Sequence, residues 1–105
     1  MSGISTHVLD TAAGRHAAGI AVQLWRDGTQ IGSAVTDEGG RCAALLPADA
    51  VLLPGPYELV FEVAEYFPNG LYPEVAITFR VSEVTSHYHI PLLLSPFGFT
   101  TYRGS

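Results

Sequence analysis

The sequence predicts an all-β fold, a β-sandwich of about eight strands with one short helix. Hydrophobic and polar residues alternate with a period of two over several short segments, as in strands that place one face on a core. Turn-forming Gly, Pro and Asn residues separate these segments at short, regular intervals. The only plausible helix is a short turn at residues 64–67.

The first half of the chain predicts four strands, at residues 4–10, 20–26, 30–37 and 41–45. In the second of these strands, Ile20, Val22 and Leu24 share one face. Asp27-Gly28 then predicts a tight hairpin, because both residue types tolerate the positive φ angles of such a turn. A glycine-rich turn precedes the fourth strand.

The second half predicts four more strands, at residues 56–63, 74–82, 87–94 and 98–103. Tyr57, Leu59 and Phe61 alternate with less apolar residues in the first of them. The next strand repeats that alternation, and the helical turn at 64–67 lies between the two. Pro- and Gly-containing turns mark the remaining boundaries.

Length and composition indicate one globular domain, residues 1–105. Hydrophobic residues make up 48% of the chain and charged residues 14%, which excludes a disordered protein. No apolar run approaches the roughly 20 residues that a membrane-spanning helix needs. The beginning of the chain lacks the pattern of a signal peptide, so we expect a cytoplasmic protein.

The net charge and the residue types present argue against several classes of function. A formal net charge of −5 argues against nucleic acid or a membrane as partner. All five basic residues are arginines, which excludes Schiff-base and general-base chemistry by lysine. The single cysteine, Cys42, excludes an internal disulfide and fits a reducing compartment.

Strand alternation predicts which face of its strand each of three histidines occupies. His7 shares a strand face with Leu9, and His87 and His89 share one with Leu93. If the apolar residues between them face the core, these side chains lie on the outer face of a sheet. Burial against another subunit explains an outer face that mixes leucine with histidine better than exposure to water does, and an ordinary exposed face is the alternative.

Three motifs resemble those of a known family. They are STHVLD at residues 5–10, HYHIPLL at residues 87–93 and YRGS at residues 102–105. They stand in the family's order, and the resemblance extends over essentially the whole chain. On these motifs the sequence resembles the transthyretin-like 5-hydroxyisourate hydrolases, which open an oxidised purine ring after urate oxidase has acted.

The resemblance implies a transthyretin-like β-sandwich that hydrolyses 5-hydroxyisourate to 2-oxo-4-hydroxy-4-carboxy-5-ureidoimidazoline in urate degradation. It implies no metal and no cofactor. It also implies a homotetramer, a dimer of dimers with the active sites in a channel between dimers. The catalytic positions of the family match His7, Arg41, His89 and Ser105. Its substrate-binding positions match His7, Arg41, Tyr102 and Arg103.

These residue types suit the hydrolysis of a cyclic amide. Water that attacks a carbonyl must lose a proton, and histidine, with an ordinary pKa of about 6.5, is a suitable general base. The developing oxyanion needs a fixed cation or strong donors, which arginine supplies. The hydroxyl or carboxylate of Ser105 can orient a histidine or the water. The sequence leaves open which histidine accepts the proton.

Three positions depart from the family pattern or are less certain within it. His16 stands where the family usually has proline, and we expect it to affect a surface turn and not the site. An additional glycine in the turn at residues 38–40 is expected to add backbone freedom beside Arg41. We expect His87 to be exposed or a hydrogen-bonded partner rather than a catalytic group.

Three other functions compete with this interpretation. A Cys–His nucleophile is disfavoured, because Cys42 follows Arg41 in a strand and therefore faces the core if Arg41 faces the site. Three histidines and a carboxylate could hold zinc, an alternative that the resemblance argues against. A small-molecule carrier is the alternative from another class, since transthyretin uses the same sandwich, but carriers lack the His/Arg/His set and the YRGS motif.

Overall fold

The computed structural model describes residues 3–105, which form nine β-strands in two sheets. In chain order the strands are β1 (Gly3–Asp10), β2 (Arg15–His16), β3 (Ala21–Arg26), β4 (Thr29–Val35), β5 (Arg41–Cys42), β6 (Gly55–Glu62), β7 (Glu74–Val81), β8 (His87–Ser95) and β9 (Gly98–Thr101). The all-β prediction is confirmed. The strand predicted at 41–45 is shorter than expected, and β2 was not predicted because two residues are too few to carry a period.

The two sheets differ in how their strands pair. The first sheet has the order β2-β1-β8-β9, and β5 also pairs with β1. The second has the order β4-β3-β6-β7 and is antiparallel throughout. Only β1 and β8 pair in parallel within residues 3–105. This parallel pair lies at the centre of the first sheet and carries the histidine motifs.

The inner faces of both sheets form the core, as the alternation predicts. In β6, Tyr57, Leu59 and Phe61 are buried, and the even-numbered positions at its two ends are not. Val8 of β1 and Leu92 of β8 are fully buried against them from the first sheet. Burial of each such side chain contributes about 1.5–3 kcal/mol, so the pattern alone strongly specifies which face is inside.

The predicted hairpin between β3 and β4 is confirmed. Asp27 and Gly28 have φ angles of 49° and 76°, and Arg26 pairs with Thr29 across the turn. Two central residues with positive φ match the right-handed twist of the flanking strands.

The short helix predicted at residues 64–67 is wrong. The carbonyl of Val63 accepts hydrogen bonds from the amides of Tyr66 and Phe67 at 3.0 and 2.9 Å, which makes a single turn. Pro68 follows at once and disfavours the helical conformation in the residue before it. Residues 3–105 contain no helix long and apolar enough to cross a membrane.

Candidate active site

Strand register brings three of the predicted catalytic residues to one sheet face. His7 on β1 is the direct antiparallel partner of Arg41 on β5. On the other side of β1, Ser5 is the parallel partner of His89 on β8. Residues in register point to the same face, so His7, Arg41 and His89 lie on one surface formed by three strands.

That surface is the outer face of the first sheet. Between the histidines of β8, Tyr88 is only 3% exposed, and Ile90 and Leu92 continue the buried side of the strand. The predicted facing of β8 is therefore confirmed. Leu9 and Leu93 are cross-strand partners on the outer face and are only partly buried within one chain.

Ser5 links the two histidines of β8. Its hydroxyl oxygen lies 2.7 Å from Nε2 of His87 and 2.8 Å from Nδ1 of His89. Ser5 itself is 8% exposed, and both contacts are partly buried. A serine hydroxyl has one proton, so it donates to one ring and accepts from the other. Because Nδ1 of His89 is used in this way, Nε2 is the nitrogen that remains for substrate or water.

His7 is held by a residue that the sequence places outside the site. Nε2 of His7 lies 3.0 Å from Nδ1 of His16, and the ring centroids are 5.1 Å apart. The expectation that His16 affects only a surface turn is therefore wrong. The pairing of β2 with β1 sets Leu9 opposite His16, which makes His16 the diagonal neighbour of His7 across the strands.

The turn before Arg41 is well ordered by hydrogen bonds. Asp37 accepts the amides of Gly39 and Arg41 at Oδ1, each at 2.9 Å, and the amide of Gly40 at its carbonyl, also at 2.9 Å. The carbonyl of Gly40 accepts the amide of Val8 at 2.7 Å. The expected backbone freedom beside Arg41 is thus wrong: an Asx turn and a bond to β1 hold the loop.

Charge and burial favour neutral imidazoles at this site. Burial first, and then electrostatic repulsion from Arg41 and His16, lower the pKa of His7, against smaller opposing effects of Gly39 and Asp37. Burial and the neighbouring His7, His87 and Arg41 lower the pKa of His89. Each ring therefore keeps a nitrogen lone pair at neutral pH, next to a permanent arginine charge.

The YRGS segment runs beside His89. Gly104 forms an antiparallel bridge with His89, and its amide donates to the His89 carbonyl at 2.8 Å. A Cβ atom at position 104 would lie 2.6 Å from Cδ2 of His89, so the ring packs directly on the glycine. Ser105 follows immediately, which brings it to the side of the site that His89 occupies.

Arg103 of this segment does not point towards His89. The guanidinium carbon of Arg103 lies 4.3 Å from the centroid of the Tyr88 ring, in cation–π geometry. Tyr88 faces the core side of β8, whereas His89 faces the outer side. Within one chain, Arg103 is therefore turned away from His89. Tyr102 is 55% exposed.

Cys42 is not available as a nucleophile. Its side chain is 3% exposed, and burial, with the nearby charge of Asp37, raises the pKa of the thiol to about 11. The thiolate needed for attack is therefore scarce at neutral pH. Within residues 3–105, no three His, Cys, Asp or Glu side chains are grouped as metal ligands.

Two residues of the site were not predicted. Simple alternation places Ser5 on the same strand face as His7, so its position could be predicted from the sequence. Its bonds to the histidines of β8 could not. His16 carried no comparable signal, because its strand is two residues long and pairs only through the tertiary fold.

Comparison with known proteins identifies relatives over the full length of the chain. Residues 4–104 match the model of the HIUase/Transthyretin family. A protein of Halalkalibacterium halodurans named 5-hydroxyisourate hydrolase is 41% identical, over 100% of both chains.

Solved structures support the same relationship. The structure of Klebsiella pneumoniae 5-hydroxyisourate hydrolase matches with a TM-score of 0.89 and 36% identity, over 100% of this chain and 94% of the other. The structure of transthyretin from Sparus aurata matches with a TM-score of 0.84 and 29% identity, over 96% and 95% of the two chains.

Proposed function

Because this chain belongs to the HIUase/transthyretin family, we propose that it is a 5-hydroxyisourate hydrolase of urate degradation. The observation that carries the proposal is the cluster on the outer face of the first sheet. There, His7 and Arg41 are direct strand partners, and His89 lies in the adjacent register position. The cluster combines neutral imidazoles with a fixed cation, which is what the addition of water to a carbonyl requires.

The reaction is an amide hydrolysis. Water adds to a ring carbonyl of the substrate, and the C–N bond of the ring then breaks. The proton that water loses passes through an imidazole to the departing nitrogen, and the carbonyl carbon becomes a carboxylic acid, which releases its remaining proton to solvent. The product is 2-oxo-4-hydroxy-4-carboxy-5-ureidoimidazoline.

Each residue of the cluster has a role that fits its surroundings. His89 presents Nε2 to the water, since its Nδ1 is bonded to Ser5. His7 lies beside Arg41 and assists in holding the water and substrate, and the guanidinium stabilises the oxyanion. Ser105, next to Gly104, orients water or a ring nitrogen. Tyr102 and Arg103 would bind substrate only from a neighbouring subunit or after movement of the tail, since Arg103 packs on Tyr88.

The identities favour an enzyme over a small-molecule carrier. The chain is 41% and 36% identical to the two hydrolases, and 29% identical to the transthyretin.

We further propose a homotetramer, a dimer of dimers, in the cytoplasm. The partly buried leucine pair beside the histidines supports a subunit contact on the outer face, since burial of this apolar surface against a second subunit would be favourable. The single, buried cysteine is compatible with a reducing compartment.

The direct test is turnover of freshly prepared 5-hydroxyisourate, followed by its ultraviolet absorbance against the spontaneous decay. We expect the protein to accelerate the decay, and His7→Ala and His89→Ala each to lower kcat/KM by at least about 10²-fold, the scale of a positioned acid–base group. His87→Ala should have a smaller effect, because it contacts His89 only through Ser5.

Asp49→Ala, on an exposed loop, is the control and should retain full activity. Circular dichroism of each variant separates loss of catalysis from loss of fold. If the protein binds 5-hydroxyisourate but leaves its decay rate unchanged, the result would support a carrier function and contradict the proposed hydrolase activity.

A further inference from the structure

The Ser5 hydroxyl lies between the two histidines of β8 and contacts both. Its oxygen is 2.7 Å from Nε2 of His87 and 2.8 Å from Nδ1 of His89. Among residues 3–105, these two rings are its only hydrogen-bond partners. The register explains the contacts, because Ser5 is paired with His89, and Gly3, two residues earlier on the same face of β1, is paired with His87. The three side chains therefore form a continuous chain of hydrogen bonds.

A glycine lies against each of the two rings. A Cβ atom at position 3 would lie 3.3 Å from Nδ1 of His87, so this ring packs on Gly3 and turns its Nε2 to Ser5. A Cβ atom at position 104 would lie 2.6 Å from Cδ2 of His89. Each ring has one nitrogen bonded to Ser5, and its other nitrogen has no hydrogen-bond partner within the described residues 3–105. Nε2 of His89 is therefore open to water or substrate.

The single proton of the Ser5 hydroxyl links the tautomers of the two rings. When the hydroxyl donates to one neutral ring, the other ring must donate to the hydroxyl oxygen. If His89 donates from Nδ1, then His87 accepts at Nε2, and both rings are Nδ1–H tautomers. If His87 donates from Nε2, both rings are Nε2–H tautomers. A water molecule that donates to Nε2 of His89 selects the first arrangement, in which His89 can act as a base.

The same chain can carry a proton away from His89. Nε2 of His89 takes the proton that water loses. The Nδ1 proton of His89 passes to Oγ of Ser5 as the Oγ proton passes to Nε2 of His87. His89 is then a neutral Nε2–H tautomer, Ser5 is again a hydroxyl, and His87 is an imidazolium. The reverse movement returns the proton to His89, whose Nε2 then donates to the departing nitrogen.

The surroundings favour the positive charge on His87 over His89. His87 is exposed whereas His89 is partly buried, and a charge costs less free energy where water solvates it. Arg41 is the strand partner of His7. The β1 partner of His89 lies two residues from His7, and the β1 partner of His87 lies four residues from it. His87 is thus about 7 Å further along the strands from Arg41, whose repulsion is weaker there.

We propose that His87, Ser5 and His89 act as one proton-accepting unit, in which Ser5 positions His89 and His87 receives the proton through the Ser5 hydroxyl. Only His89 touches the water or the substrate, and the other two residues act through it. The inference deepens the proposed function, and its kinetic consequence rests on that function. Its structural consequence, the linked tautomers of the two rings, does not.

The structural test is nitrogen NMR of the imidazoles in the whole protein, at a pH where both rings are neutral. His87→Gln and His89→Gln assign the signals. In the wild type we expect His87 and His89 to have the same ratio of Nδ1–H to Nε2–H forms. Ser5→Ala removes the link, so the two ratios should differ, whereas Ser5→Thr keeps the hydroxyl and should keep them equal. Ser33→Ala, at an exposed position of β4, is the matched control and should leave both ratios unchanged.

Activity distinguishes a proton acceptor at position 87 from a simple hydrogen-bond partner. His87→Gln keeps an amide oxygen that can accept from Ser5 but cannot take a proton, whereas His87→Ala removes both functions. We expect both variants, and Ser5→Ala, to lower kcat about 10-fold. KM should stay within about 2-fold of the wild type, because neither residue touches the substrate. The double variant Ser5→Ala/His87→Ala should be no worse than either single variant, because both residues act through one chain.

Different tautomer ratios for His87 and His89 in the wild type, or equal ratios in Ser5→Ala, would overturn the linkage. Wild-type kcat in His87→Gln would mean that His87 only holds Ser5, and would overturn the proton transfer. Single effects that multiply in the double variant would do the same. Circular dichroism of each variant identifies any loss of fold. A protein that never accelerates the decay of 5-hydroxyisourate would instead contradict the proposed function, and the NMR result would still decide the linkage.

Discussion

The site histidines stay unprotonated at neutral pH because of what surrounds each ring. Burial is the first cause of the lowered pKa of both His7 and His89, and Arg41 acts in the same direction on each. A ring that stays neutral retains the lone pair that a general base needs. In the proposed function Arg41 therefore has two effects: it stabilises negative charge on the substrate, and it favours the neutral form of the neighbouring histidines.

The lowered pKa values of His7 and His89 predict the pH dependence of kcat/KM. A base with a lowered pKa stays unprotonated to lower pH, so we expect the acid limb of the profile to have its midpoint below the ordinary histidine value of 6.5. The measurement is kcat/KM from pH 5 to 8, corrected for spontaneous decay at each pH. A midpoint above 6.5 would show that the titrating group is not one of these two rings.

At the scale of elements, the site depends on how the segment after β9 lies along β8. The bridge between Gly104 and His89 continues the β8–β9 ladder past Thr101. Arg103 anchors the same segment on the opposite face by stacking on Tyr88. The glycine leaves room for the His89 ring, and the arginine holds the backbone in register.

Gly104→Ala should impair catalysis more than stability. The added Cβ would approach Cδ2 of His89 to 2.6 Å, so the ring must move. We expect kcat/KM to fall about 10-fold, while the free energy of unfolding changes by less than about 1 kcal/mol, because no core group is lost.

Gly98→Ala is the matched control in the same hairpin, since its Cβ would meet only Ser95 Oγ at 3.7 Å. Both variants are compared by steady-state kinetics and urea unfolding. Equal kcat/KM for Gly104→Ala and the wild type would mean that the position of the His89 ring is not limiting.

At the scale of the whole molecule, one sheet face carries apolar side chains that a single chain leaves partly uncovered. Leu9 and Leu93 are partners on the face that carries the histidines, and each is only partly covered. A second subunit on this face would shield both leucines and enclose the site, where exclusion of water strengthens the contacts of Arg41. Assembly and activity should therefore be coupled.

Leu93→Glu tests this coupling. A carboxylate in the proposed contact must be desolvated without a partner, so we expect the proposed tetramer to dissociate and kcat/KM to fall by at least about 10-fold. Sedimentation equilibrium and activity are measured at the same protein concentrations. Val51→Glu, at a position that is 80% exposed, is the control and should remain tetrameric. A fully active monomer would exclude a shared channel.

Local patterns were sufficient for the strands and their faces. Alternation predicts that Tyr88 and Ile90 are buried and that His87 and His89 are on the outer face, because a period of two is a property of the strand itself. The hairpin at Asp27-Gly28 is equally local, since it depends on two backbone conformations. The helix predicted at 64–67 failed for a local reason too, the proline that follows it.

The sequence by itself determined an all-β sandwich, the outer-face histidines and the family motifs, because each depends on neighbours close along the chain. Only the tertiary structure decided that Ser5 bridges His87 and His89, that His16 contacts His7, and that Arg103 packs on Tyr88. The strands involved are separated by up to 84 residues along the chain. Their contacts depend on pairing register and on ring orientation, and these are settled only when β1, β2, β8 and the tail pack together.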